Sequence, residues 1–102
     1  MAGFDQHPKI HMEEAQPATG RDPLLVERGK THGSFERNAS ISQMIKHVYH
    51  CAGNYPTENP AHCEALDMIA LKLSRILSGQ ANFKDHWDDI AGYAKLGSEA
   101  CR

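Results

Sequence analysis

The chain contains no long apolar run, few aromatic residues and no surplus of basic charge. Its apolar stretches extend only a few residues, short of the ~20 that a membrane-spanning helix needs. Met1-Ala2-Gly3-Phe4-Asp5 has no apolar core of the kind a secretory signal requires. Lysine and arginine number 11 against 13 aspartates and glutamates, a formal charge of -2. That balance disfavours a nucleic-acid partner held by phosphate-backbone contacts. Three cysteines cannot pair fully within one chain, and a reduced cytoplasmic setting is the simpler expectation. Hydrophobic residues make up 40% and aromatics 7% of the 102 residues, enough for one small core in one domain.

Residues 1–21 mix His7, Pro8, His11, Glu13, Glu14 and Pro17 without apolar periodicity, and read as a mobile arm. Residues 22–97 carry helical patterning, and 98–102 form a polar tail. Asp22-Pro23 opens a short helix through Leu24, Leu25 and Val26 that ends near Gly29. Ser34 caps a second helix, with Phe35, Ala39, Ile41, Ile45, Val48, Tyr49 and Ala52 at roughly helical spacing and Gly53 at its end. A connection with Pro56 and Pro60 follows. A third helix spans about Ala61 to Ser78, with Ala65, Leu66, Ile69, Leu73, Ile76 and Leu77 as its stripe. A fourth covers roughly Lys84 to Leu96, packed through Trp87, Ile90, Ala91 and Ala94. No stretch alternates with period two. The expectation is a small all-α antiparallel bundle of about four helices. Roughly 80 folded residues make a marginal core, so completion by oligomerisation, at least a dimer, is expected.

Chemistry concentrates on the last two helices. Glu64 and Asp67 lie three apart on one, and Asp85 and Asp88 repeat that spacing on the next, with Asp89 beside them. Brought together, they would make a hard oxygen site for Mg2+ or Mn2+ able to polarise phosphoryl oxygens and activate a water. Antiparallel packing opposes this, so the meeting needs a tilt or a second subunit. Lys72 and Arg75 stand one turn apart and are suited to phosphate. The structural alternative is helix-dipole compensation by the acids and surface ties by the cations.

The turn Gly29-Lys30-Thr31-His32-Gly33 offers Lys30, His32 and backbone amides to an anion. Tyr93, one turn from Asp89, could hydrogen-bond a ligand or simply pack. His47, His50, Cys51, His62 and Cys63 contain a possible tetrahedral zinc set, although the spacing follows no standard zinc pattern. Half-buried cysteines and surface histidines explain them more simply.

The segments Glu27 to Phe35, Ala65 to Gly79 and Lys84 to Tyr93 resemble a family of small phage and prophage proteins of uncharacterised function. The likeness covers about residues 24 to 96. They resemble more distantly the nucleotide-modification-associated helical domains of phages. More remotely, the pattern is similar to the all-helical nucleoside triphosphate pyrophosphohydrolases related to MazG. Those carry Glu-x-x-Glu and Glu-x-x-Asp pairs that bind magnesium, against Glu64-x-x-Asp67 and Asp85-x-x-Asp88 here.

These resemblances imply a cytoplasmic nucleotide-binding protein of an infected or lysogenic bacterium, assembled from subunits. A Mg-dependent enzyme of that kind would use Glu64, Asp67 and Asp85 in catalysis. Those three with Asp88 and Asp89 would hold the metal, and Lys30, His32, Lys72, Arg75 and Tyr93 would hold the ligand. The alternative implied is a non-enzymatic sponge for a nucleotide immune signal, or an inhibitor of a host protein.

Overall fold

A computed structural model describes residues 22–102. The expected N-terminal arm lies outside the described residues. Four helices form, α1 (Pro23–His32), α2 (Phe35–Cys51), α3 (Pro60–Ser78) and α4 (Lys84–Glu99), and no strand occurs among the described residues. The helix starts follow local chemistry. The Asp22 carboxylate accepts from Leu24 N at 2.9 Å, and Ser34 Oγ accepts from Arg37 N at 3.1 Å. Asn59 Oδ1 caps α3 through Ala61 N and His62 N, at 3.2 and 3.3 Å, with Pro60 in the first turn. Each cap satisfies amides that the helix cannot pair internally.

Two ends differ from the sequence expectation. Gly29 does not end α1, because its carbonyl accepts from Gly33 N at 3.0 Å and carries the helix another turn. Gly33, at φ 80°, makes the stop instead, in a region that L side chains rarely occupy. Gly97 does not end α4 either, and the helix runs to Glu99.

α3 is the axis of a three-helix bundle. It packs along α2 on one flank and α4 on the other, and α1 meets it at its C-terminal end. The most deeply buried residues of α2 are polar, while Ala39, Ile41, Ile45 and Tyr49 of the expected apolar stripe are half-buried. Asn38 and Ser42 are the buried residues of α2, while Phe35 and Val48 stay exposed. Ala70 and Ser74, one turn apart on α3, are completely buried. Small side chains let helix axes approach closely, which leaves no room for larger ones in that row. On α4 the residue turned inward is His86 and not its neighbour Trp87, which is 52% exposed. Among the described residues, Ala65, Ala70 and Ile76 are the buried apolar side chains.

Candidate functional site

The polar residues inside the bundle converge on the turn between α1 and α2. Asn38 Nδ2 donates to the carbonyls of His32 and Ser34 at 2.7 and 3.0 Å. Its Oδ1 accepts from Ser78 Oγ at 2.9 Å, and Ser78 Oγ also lies 3.3 Å from His32 O. The Thr31 carbonyl takes Gln80 N at 3.0 Å and the His86 ring Nε2 at 2.8 Å. That contact assigns the proton to Nε2 of His86, since a carbonyl can only accept. Gly33 and Gly79 sit where the two turns touch. A Cβ on Gly33 would come 2.6 Å from Ser78 O, and one on Gly79 would come 2.7 Å from His32 C. The α1–α2 turn is thus bolted to the α3–α4 turn by side-chain bonds to backbone carbonyls.

This junction holds His32 half-buried, its ring 4.9 Å from His86 and 5.8 Å from Phe83, centroid to centroid. Its Nδ1 is 2.6 Å from Thr31 Oγ1. Burial lowers the His32 pKa below the ordinary histidine value, and Arg75, His86, Arg28 and Lys72 push the same way. The positive charges of Arg75, Arg28 and Lys72 thus all bear on one imidazole. Lys72 is only 12% exposed and pairs with Asp89 at 2.9 Å. The Lys72 hydrogen bond holds the Asp89 carboxyl below its usual range. Arg75 is partly desolvated, which lowers its pKa, and Arg28 adds to the lowering while Asp89 opposes it. Arg75 forms no ion pair among the described residues. Lys72 and Arg75 thus act on Asp89, while Arg28 acts on Arg75 and His32.

Of the residues singled out from sequence, the fold gathers His32, Lys72, Arg75 and Asp89. It leaves Lys30 outside, exposed and paired with Glu27 at 3.3 Å. Tyr93 lies elsewhere, in an apolar groove of about 340 Å³ at the other end of the α3–α4 seam, with Leu66, Ile69 and Ala94.

The expected Mg2+ or Mn2+ site does not form. Among the described residues, no group of three or more His, Cys, Asp or Glu side chains could hold a metal ion. The reason is the antiparallel register. His62 meets Gly97 O at 3.0 Å, and Lys72 meets Asp89. Asp85 is therefore level with about residue 75 of α3, roughly eleven residues or ~17 Å from Glu64. Glu64 and Asp85 are exposed, and Asp67 acts on Tyr49 and Tyr55, toward α2 and the α2–α3 connection. Asp88 is tied to Lys84 on the surface at 2.8 Å, and Asp89 is taken by Lys72. The zinc alternative fails as well: Cys51 meets His47 at 3.4 Å on α2, while Cys63 donates to Pro56 O at 3.2 Å.

Arg28, Asn38, Ser74, Ser78 and His86 were not visible as site residues from sequence. A faint signal existed. Arg28 lies four residues before His32, and polar Asn38 and Ser42, like Ser74 and Ser78, recur at one-turn spacing within apolar patterns.

A family profile described as a domain of unknown function, DUF6378, matches residues 18–101. The chain belongs to that family. No curated protein and no solved structure matches it.

Proposed function

We propose that this protein binds a phosphate-bearing small molecule, a nucleotide being the favoured class, through Arg28, His32, Lys72 and Arg75. One observation carries the reading: Lys72, nearly buried and paired with Asp89, stands one turn from Arg75 on α3, and both charges, with that of Arg28, bear on the half-buried His32. Like charges held together repel, and an anion relieves that repulsion. Arg75 is suited to grip two phosphate oxygens, since its planar donors pair with no carboxylate among the described residues. Phe83, packed against both His32 and His86, adds an aromatic ring beside the cations that can stack on a base.

In this reading the ligand is held and not hydrolysed, because the carboxylates diverge. A sponge for a nucleotide signal therefore fits better than a pyrophosphohydrolase. The test is equilibrium binding of ribo-, deoxyribo- and cyclic nucleotides to the full chain in chelator, followed by chromatography of the recovered ligand. Intact ligand, affinity that falls with salt, and at least tenfold weaker binding by Arg75→Ala are expected. The Arg75 side chain forms no ion pair or hydrogen bond among the described residues, so its removal leaves the bundle in place. Equal affinity in wild type and Arg75→Ala, or no binding across the panel, overturns the proposal.

A further inference from the structure

The turn that ends α1 is seated on the bundle by few bonds, and a titratable ring is part of the seat. Three hydrogen bonds join it to the end of α3, the α3–α4 turn and α4. Gln80 N and His86 Nε2 both donate to Thr31 O, and Ser78 Oγ donates to His32 O. Helix α1 has no buried residue, so lifting its last turn uncovers little of the core. Gly33 and Gly79 bring the two backbones so close that no methyl group fits between them, and no counter-ion enters there while the turn is seated.

His32 is the ring at that seat. Its edge-on neighbour is His86, 4.9 Å away and almost completely buried. The charged and titratable groups bearing on it are Arg28 from α1, Lys72 and Arg75 from α3, and His86 from α4. From α2 comes the uncharged amide of Asn38, bonded to the His32 carbonyl. No carboxylate pairs with His32 among the described residues, and Asp89, the acid that feels Lys72, His86 and Arg75, is taken by Lys72. A proton on His32 therefore adds positive charge to a group of like charges. Two changes relieve it. The turn can lift, carrying Arg28 and His32 away from Lys72 and Arg75, or an anion can enter among the cations and leave the turn seated.

We propose that the α1–α2 turn is a latch that acid loosens when the site is empty and that a bound anion closes again. The acid half stands on the junction itself; the closing half rests on the binding function proposed above. A lifted His32 titrates near the ordinary value of about 6.5, whereas the seated ring holds its proton less tightly. The open form therefore gains as pH falls through that value.

The reporter is the Gln80 amide, which lies outside the helices and donates to Thr31 O across the junction. The Ala70 amide, on a completely buried residue of α3, reports opening of the whole bundle. Hydrogen exchange of the full chain is measured at about pH 7.5 and about pH 5.5, corrected for the intrinsic exchange rate at each. Gln80 should exchange at least tenfold faster than Ala70 at both, through an opening of its own. Without added anion, its protection should fall about fivefold to tenfold in acid, and His32→Gln should abolish that fall. Inorganic pyrophosphate at constant ionic strength should restore the protection in acid.

Equal Gln80 protection at the two pH values overturns the latch, as does a fall that persists in His32→Gln. Gln80 protection equal to that of Ala70 overturns it too, since the turn would then open only with the whole fold. Calorimetry with the same pyrophosphate separates the two halves. Pyrophosphate that binds without restoring Gln80 overturns closure and leaves the binding function standing. Pyrophosphate that does not bind overturns closure and counts against the binding function, while the anion-free exchange still decides the acid half.

Discussion

The two ends of α3 are held by different means. At the C-terminal end, Asn38, Ser78 and His86 bond to carbonyls of one turn, and two glycines let the backbones touch. At the N-terminal end, separate single bonds join the partners. Tyr49 reaches Leu66 O at 2.8 Å, His62 reaches Gly97 O, and Asn59 reaches Ala100 O at 3.2 Å, beside an open apolar groove. Hydrophobic contact is non-directional and tolerates sliding, whereas a buried amide satisfied on both its donor and acceptor sides fixes one geometry. Lys72, Arg75, Asp89 and His32 lie toward the fixed end, where positions are defined well enough to hold a cluster of like charges.

That contrast can be broken most severely at the glycines. Gly33→Ala or Gly79→Ala should cost about 3 kcal/mol in denaturant unfolding, because the new Cβ meets backbone that cannot move aside. Gly92→Ala, in open helix, should instead stabilise by about 0.5–1 kcal/mol. Comparable losses in all three variants would refute the close-approach argument.

Asn38→Asp preserves shape but turns a carboxylate toward two carbonyl oxygens, and should destabilise by about 3 kcal/mol. At the other end, Tyr49→Phe removes one bond to a carbonyl already within a helix, for about 0.5–1 kcal/mol. Urea midpoints of the two variants test whether the ends differ as described.

The charge balance of the cluster gives a finer test. Asp89→Asn removes the one opposing carboxylate and frees Lys72, so nucleotide affinity should rise about threefold to tenfold while stability falls slightly. Titration calorimetry would decide the sign, and weaker binding would contradict an anion site.

The smallest effect is in pH. His32 has a lowered pKa in the fold, so the unfolded chain binds its proton first. Its contribution to stability is present above the unfolded value of about 6.5 and is lost as pH falls through that value toward the lower folded one. A bound anion reverses the repulsion, so affinity should increase from pH 8 to 6 with proton uptake. His32→Gln should flatten that slope.

Much of the local structure was legible in the residues. Asp22-Pro23 and Ser34 marked the starts of two helices, and no period-two patterning pointed to sheet; Asn59-Pro60, read as part of a connection, caps and opens a third helix. Lys72 was singled out with Arg75 as suited to phosphate, and its side chain is nearly buried. The apolar stripe of α2 was right in part: Ala39, Ile41, Ile45 and Tyr49 are half-buried, but Phe35 and Val48 face outward while Asn38 and Ser42 face in. Spacing identifies residues on one face of a helix, but not which face its neighbours take when small side chains permit close approach.

The sequence by itself determined an all-helical chain, the starts of its helices and the residues capable of holding a metal or an anion, because caps and periodicity act within a few residues of one another. Tertiary structure decided which of those residues meet. The register between α3 and α4 separated the carboxylates by several helical turns and brought Lys72 to Asp89, with Arg75 one turn further along α3. The bolted turns carried Arg28 and His32 to the same end. Register is set by shape and bonds between helices, and spacing along one helix contains no record of it.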